Sequence, residues 1–128
     1  MKKIISIDDF IKIDLKLGQI LEVEKVPDTD KLLKLKVDMG MVLVTVGVGE
    51  EQKTEEKKDI RQIVSGIALY FEDIQSLVGK RCMFVENLEP RTIKGLESQG
   101  MILAVSTEDG KFSLLTADDS IPVGTSAK

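Results

Sequence analysis

Leu15–Asp38 reads LKLGQILEVEKVPDTDKLLKLKVD, and the fold is decided there. In its first half Leu15, Leu17, Leu21 and Val23 fall on one side at period two, the alternation expected of a strand with one buried face. Pro27-Asp28-Thr29-Asp30 then clusters turn formers, a preset proline φ beside side chains that bond their own backbone. In the second half Leu33, Leu35 and Val37 face one way and Lys34 and Lys36 the other. The stretch is strand, turn, strand.

Working outward, Ser6 is a natural N-cap with Asp8 and Asp9 in the first helical turn, so a short helix is expected over about Ser6–Ile13. Beyond Gly40 the alternation resumes in MVLVTVGV, with Val42, Val44, Val46 and Val48 in phase. IRQIVSGIAL is β-rich, and FEDIQSLV reads as one or two helical turns ending at Gly79. RCMFVENL is apolar on both faces, as a strand enclosed on both sides would be. MILAV and KFSLLT close the chain, joined by a turn at Glu108-Asp109-Gly110. Many short strands and one short helix predict an all-β domain, a small barrel spanning residues 1–128. Glu50–Asp59, EEQKTEEKKD, has five acids and three lysines and is expected to be a solvated, mobile loop.

Composition excludes much chemistry. The 128 residues contain no histidine, which removes Ser-His-Asp and Cys-His catalysis and every imidazole-bound zinc site. The single cysteine, Cys82, has no intramolecular disulfide partner, which fits a reducing compartment, and reads as a small buried apolar residue. Gly47 and Gly49 alternate without the third glycine and following helix of a dinucleotide site. Ser65 lacks a nucleophile-elbow context. No apolar run is long enough for a membrane helix, and MKKIISIDDF is not a signal peptide. Eighteen basic against 22 acidic residues give a net charge of −4, so the chain is not a generic polycationic coat, though a local basic patch remains open. With Tyr70 and four phenylalanines, about what a core consumes, recognition of RNA by shape and phosphate is favoured over base stacking. The donors for it are Lys31, Lys34, Lys36, Arg61, Gln62, Asn87, Arg91 and Lys94.

Three segments carry a resemblance. They are Ile7–Asp38, then RQIVSGIALY at Arg61–Tyr70, then LVGKRCMFVENLEPRTIKGLESQGMILA at Leu77–Ala104. Together they closely resemble the tRNA-binding domain at the C-terminus of many bacterial methionyl-tRNA synthetases, also found in phenylalanyl-tRNA synthetase β chains and in free-standing structure-specific tRNA-binding proteins. The likeness runs from about Ile7 to Thr125, apart from Gly40–Asp59. It implies an OB-fold, a five-stranded Greek-key barrel with extra C-terminal strands, in a homodimer that binds the outer corner of tRNA with little sequence dependence. By motif, Lys31 and Lys34 of KLLKL and Arg61 of RQIVSGI would contact phosphates. Asn87, Arg91 and Lys94 of NLEPRTIKG would line the same groove, with Ser98, Gln99 and Met101 of ESQGM completing it; alternatively Ser98 and Gln99 simply fix a tight loop. No catalytic residue, cofactor or metal is implied. The expected role is that of an accessory chain of methionyl-tRNA synthetase in the cytoplasm, and the competing role is a dimeric, secretion-associated chaperone of the same fold that binds peptides.

Two departures stand out. The family passes from the second strand to RQIVSGI by a short acidic turn, whereas here MVLVTVGV lengthens a hairpin with Glu50–Asp59 as its expected tip. Glu89 in NLEP stands where a lysine is common, and Lys80–Met101 retains four cations against Glu86, Glu89 and Glu97.

Overall fold

The computed structural model describes all 128 residues. A one-turn helix α1 (Ile7–Phe10) leads into β1 (Leu15–Lys25), β2 (Leu33–Val46) and β3 (Lys53–Ser65); then come β4 (Arg81–Val85), β5 (Arg91–Ile93), β6 (Leu96–Ser98), β7 (Met101–Ile102), β8 (Ala104–Ser106) and β9 (Phe112–Leu114). Ser6 caps α1, its hydroxyl accepting from the Asp9 amide at 3.2 Å. The helix stops short of Ile13 and buries none of its residues. One antiparallel sheet, in the order β3-β2-β1-β4-β7, curls around the core, and β5-β6 and β8-β9 form two further hairpins. The expected all-β, five-stranded architecture is present.

The core is built where the two-residue period places it, on Leu33, Leu35, Val37 and Met39 of β2, facing Leu17, Ile20, Ile63, Phe84 and Cys82. In β1 the expected phase fails at one position. Ile20 pairs with Val37 and Glu22 with Lys36, so Leu21 is the extra residue of a β-bulge. It is 36 % exposed, while Ile20 enters the core in its place. The aromatic expectation also needs correcting. Only Phe84 is fully buried; Phe10 is exposed, and Phe71 and Phe112 lie half-buried with Tyr70, whose ring stacks on Phe112 at 4.1 Å.

FEDIQSLV contributes one 3-10 turn, Ile74–Leu77, capped by Asp73 and preceded by another at Ala68–Tyr70. The C-terminal tail flanks β1, with the Gly124 amide donating to Leu17 O at 2.7 Å and that of Ala127 to Leu15 O at 2.8 Å. In the middle of β2, Gly40 has φ +95°, and a β-carbon there would lie 2.7 Å from the Gly124 backbone. This is the one place where β2 can kink beside the tail, and its register with β3 slips here, between Asp38 and Met41.

Beyond that kink the stretch expected to be a loop is mostly strand. Met41–Val46 pairs with Lys53–Lys58 residue by residue, so only Gly47–Gln52 remains as a tip. A β-branched partner strand brings the charged segment into a ladder that its own composition does not predict.

Candidate nucleic-acid interface

Arg61 sits opposite Val37 in the ladder, hence on the inner side of the curled sheet at its open end. Its guanidinium is engaged at all three nitrogens. Nε meets both Asp59 carboxylate oxygens at 3.0 and 3.1 Å, Nη1 donates to Glu86 O at 2.6 Å and Gln99 O at 3.1 Å, and Nη2 reaches Asp59 at 3.0 Å and Glu86 Oε1 at 3.4 Å. Glu86 also pairs with Lys16 at 3.0 Å. Burial raises the Glu86 carboxyl above its usual range, a hydrogen bond with Asp14 adds to that, and Lys16 opposes it. Arg61 thus ties β3 to the ends of β4 and β6.

The Ser98-Gln99-Gly100 loop closes the curled sheet from the other side. The Gln99 amide donates to Gln62 O at 2.8 Å, and its side-chain Oε1 accepts from Gln62 N at 2.9 Å. Ser98 Oγ accepts from Val64 N at 3.0 Å and donates to Gly100 O at 3.1 Å, and Ser98 is buried. Side chains here stand in for a main-chain ladder between β3 and the strand after β6. Gly100, at φ +150°, lets the chain pass Val85 O, which a β-carbon would approach to 2.9 Å. Asn87 is equally committed: its side chain donates to Lys12 O at 2.6 Å and accepts from Asp14 N at 2.8 Å, fastening the turn after α1 to the end of β4.

The remaining residues expected at the site face outward. Arg91 lies exposed on β5 opposite Ser98, and Lys94 stands at the tip of the β5-β6 hairpin with φ +50°, followed by Gly95 at φ +80°. Two positive-φ residues closing a two-residue loop make the tight turn that matches strand twist. Neither side chain has a hydrogen-bond or ion-pair partner, and neither does that of Lys31, whose carbonyl accepts from Ala68 N at 2.9 Å. Lys34 pairs loosely with Glu24 at 3.3 Å across the β1-β2 ladder, and Lys36 stands opposite Glu22 in register. Met101 is 45 % exposed at the start of β7. Lys34, Lys36, Arg61, Gln62 and Gln99 line one cleft of about 320 Å³ on the β2-β3 face, with Glu22 and Glu24 on its rim. A second cleft of about 340 Å³ lies between Asp59, Arg61, Glu86, Leu88 and Pro90, just before Arg91. Arg61 and Gln99 form the wall between the two.

Sequence reasoning missed the acidic partners Asp59, Glu86, Glu22 and Glu24. The only signal for the last two was the hairpin register, which sets Glu24 against Lys34. Lys16 and Glu86 are 70 residues apart and meet only because β1 pairs with β4. Cys82 is fully buried, and burial pushes its thiol up to about 11.

Comparison with known proteins bears on what this face does. Residues 15–126 match the family described as "Putative tRNA binding domain". The methionine–tRNA ligase of Caldanaerobacter subterraneus subsp. tengcongensis is 42 % identical over 121 residues, 94 % of this chain but 16 % of that protein. The same ligase from Lactococcus lactis is 44 % identical over 122 residues, again 94 % and 16 %. The chain therefore spans about a sixth of these relatives' length. Among solved structures, a MetRS related protein from Pyrococcus horikoshii superposes with a TM-score of 0.77 at 35 % identity, covering 99 % of this chain and all of that one. The chaperone CsaA from Bacillus anthracis superposes with a TM-score of 0.74 over 98 % of this chain and all of that one; at 22 % identity it shares the fold.

Proposed function

Because the chain belongs to the tRNA-binding domain family, we propose that it is a non-catalytic grip for folded tRNA, acting as a homodimer beside a methionyl-tRNA synthetase. The observation that carries this reading is a division of labour among the cations and polar groups. Arg61, Asn87, Ser98 and Gln99 are tied into hydrogen bonds inside the protein and hold the surface in shape. Lys31, Lys36, Arg91 and Lys94 project without partners, Lys34 has one exposed ion pair to exchange, and Met101 offers an apolar contact for a ribose or base. Cations on turns and on an outward strand face suit phosphates spaced along a backbone, the contacts that position a protein on RNA without depending on sequence.

The homodimer is supported by α1. Ile7, Phe10, Ile11 and Ile13 are all left partly exposed within one chain, Ile7 and Ile11 most of all, and a second copy would cover them. The ligase relatives support the role: they carry a similar segment within one long chain, and a separate chain that also held the catalytic subunit would raise local tRNA concentration without anticodon contacts. Its place would then be the cytoplasm. No helix is long and apolar enough to cross a membrane.

The test is filter binding of several purified tRNAs to the wild-type protein, Lys34→Ala and Arg91→Ala. Each variant is expected to lose roughly three- to tenfold in affinity, alike for every tRNA, with the salt slope reduced by about one. A variant that changes the ranking of tRNAs contradicts shape reading.

A further inference from the structure

The outer part of the β2-β3 hairpin projects as a ribbon of two strands. β1 accompanies β2 only as far as Asp38, and no strand flanks Met41–Val46 on the side away from β3. Two strands alone are marginal in water, and three or more sharing an apolar face are needed for independent stability. Met41, Leu43 and Val48 of this ribbon are left open, 55 %, 70 % and 80 % exposed, while Val42 and Val44 are half-buried.

Its two edges differ sharply in charge. Six of the seven residues in Lys53–Asp59 are charged, whereas Gly40–Gly49 contains no charged residue and no proline. Charges are a usual protection of an edge strand, and here they guard β3 and leave the outer part of β2 open. An uncharged, β-branched edge accepts another strand by main-chain hydrogen bonds, and an apolar occupant covers the open side chains of this one without burying a charge.

We propose that this occupant is the same edge of a second copy, two Met41–Val46 strands pairing antiparallel about a two-fold axis into a four-stranded intermolecular sheet. Centred on Leu43, the pairing sets Leu43 beside Leu43 and Met41 beside Thr45 on one face, with Val42 beside Val44 on the other. No charge is buried, and each ribbon gains the strands it lacks. Self-complementarity of this kind is what a two-fold contact requires. The surface is distinct from the apolar residues of α1, and the inference stands whether or not the protein binds tRNA.

Sedimentation velocity over a wide concentration range tests it, using the wild-type chain, Leu43→Lys, Leu43→Glu, an equimolar mixture of those two, and Phe10→Asp. Residue 43 is open to solvent, so the variants fold. The wild type is expected to show an association step that moves to at least about tenfold higher concentration in either residue-43 variant, where like charges meet across the axis. The mixture recovers the step, and Phe10→Asp leaves it in place. In parallel, amide exchange within Met41–Val46 slows as wild-type concentration rises and stays fast in Leu43→Lys. Identical concentration dependence in the wild type and Leu43→Lys overturns the proposal, as does a mixture that recovers nothing or exchange that ignores concentration.

Discussion

Arg61 engages Asp59, Glu86 and Gln99 through all three guanidinium nitrogens, so its removal leaves two partly buried carboxylates without their cation. Arg61→Ala is expected to cost about 2–3 kcal/mol in urea unfolding, toward the low end for broken ion pairs because the side chain retains some solvent contact. Arg61→Lys recovers little of this, since an ammonium cannot reproduce the fork. Lys94 makes the opposite case. Its left-handed backbone suits asparagine better than lysine, so Lys94→Asn is expected to raise stability by about 0.5–1 kcal/mol while weakening tRNA binding. A residue whose removal stabilises the fold but harms binding is there for the ligand. Glu86 adds a pH signature. Its folded pKa is raised above the unfolded value, so its contribution is complete below the unfolded value near about 4.3 and is lost as pH rises through the folded one. The stability of the wild type relative to Glu86→Gln should therefore grow as pH is lowered from 7 to about 4, and a flat difference would contradict the assignment.

At the scale of the element, the bulge in β1 gives a direct check on packing. Ile20→Ala should cost about 2–4 kcal/mol, whereas Leu21→Ala should cost under about 1 kcal/mol. Strict alternation would have put Leu21 in the core, and a thermal-shift series on both variants decides between the phases. The same bulge shows why the strands were legible and this detail was not. Period-two patterning places Leu33, Leu35 and Val37 inward with no further information, but an inserted residue reverses the phase and leaves no mark in composition. The hairpin arm was half legible for a related reason. MVLVTV declares itself by β-branching, but Lys53–Asp59 becomes a strand only because MVLVTV lies beside it. At the site, motif likeness selected a compact set of residues, and tertiary contacts then divided them. Ser98, Gln99, Asn87 and Arg61 hold the frame through partners remote in sequence, and nothing in their local spacing distinguishes them from Arg91 and Lys94.

For the whole molecule, the net charge of −4 means that long-range attraction does not draw tRNA to this chain, so a local constellation of cations has to do so. Glu22 and Glu24 temper the cleft face, and Glu89 lies exposed two residues before Arg91 at the start of β5. Glu89→Lys should raise tRNA affinity roughly three- to tenfold and steepen its salt dependence, as a charge reversal near phosphates does. The most direct test of the account is the affinity of the purified protein for mixed tRNA and for an unstructured RNA of equal length, each at low and at physiological salt. The account predicts a clear preference for folded tRNA, with binding that weakens steeply as salt rises. Equal affinity for both RNAs, or no binding to either, would contradict it and turn attention to extended peptides as the ligand.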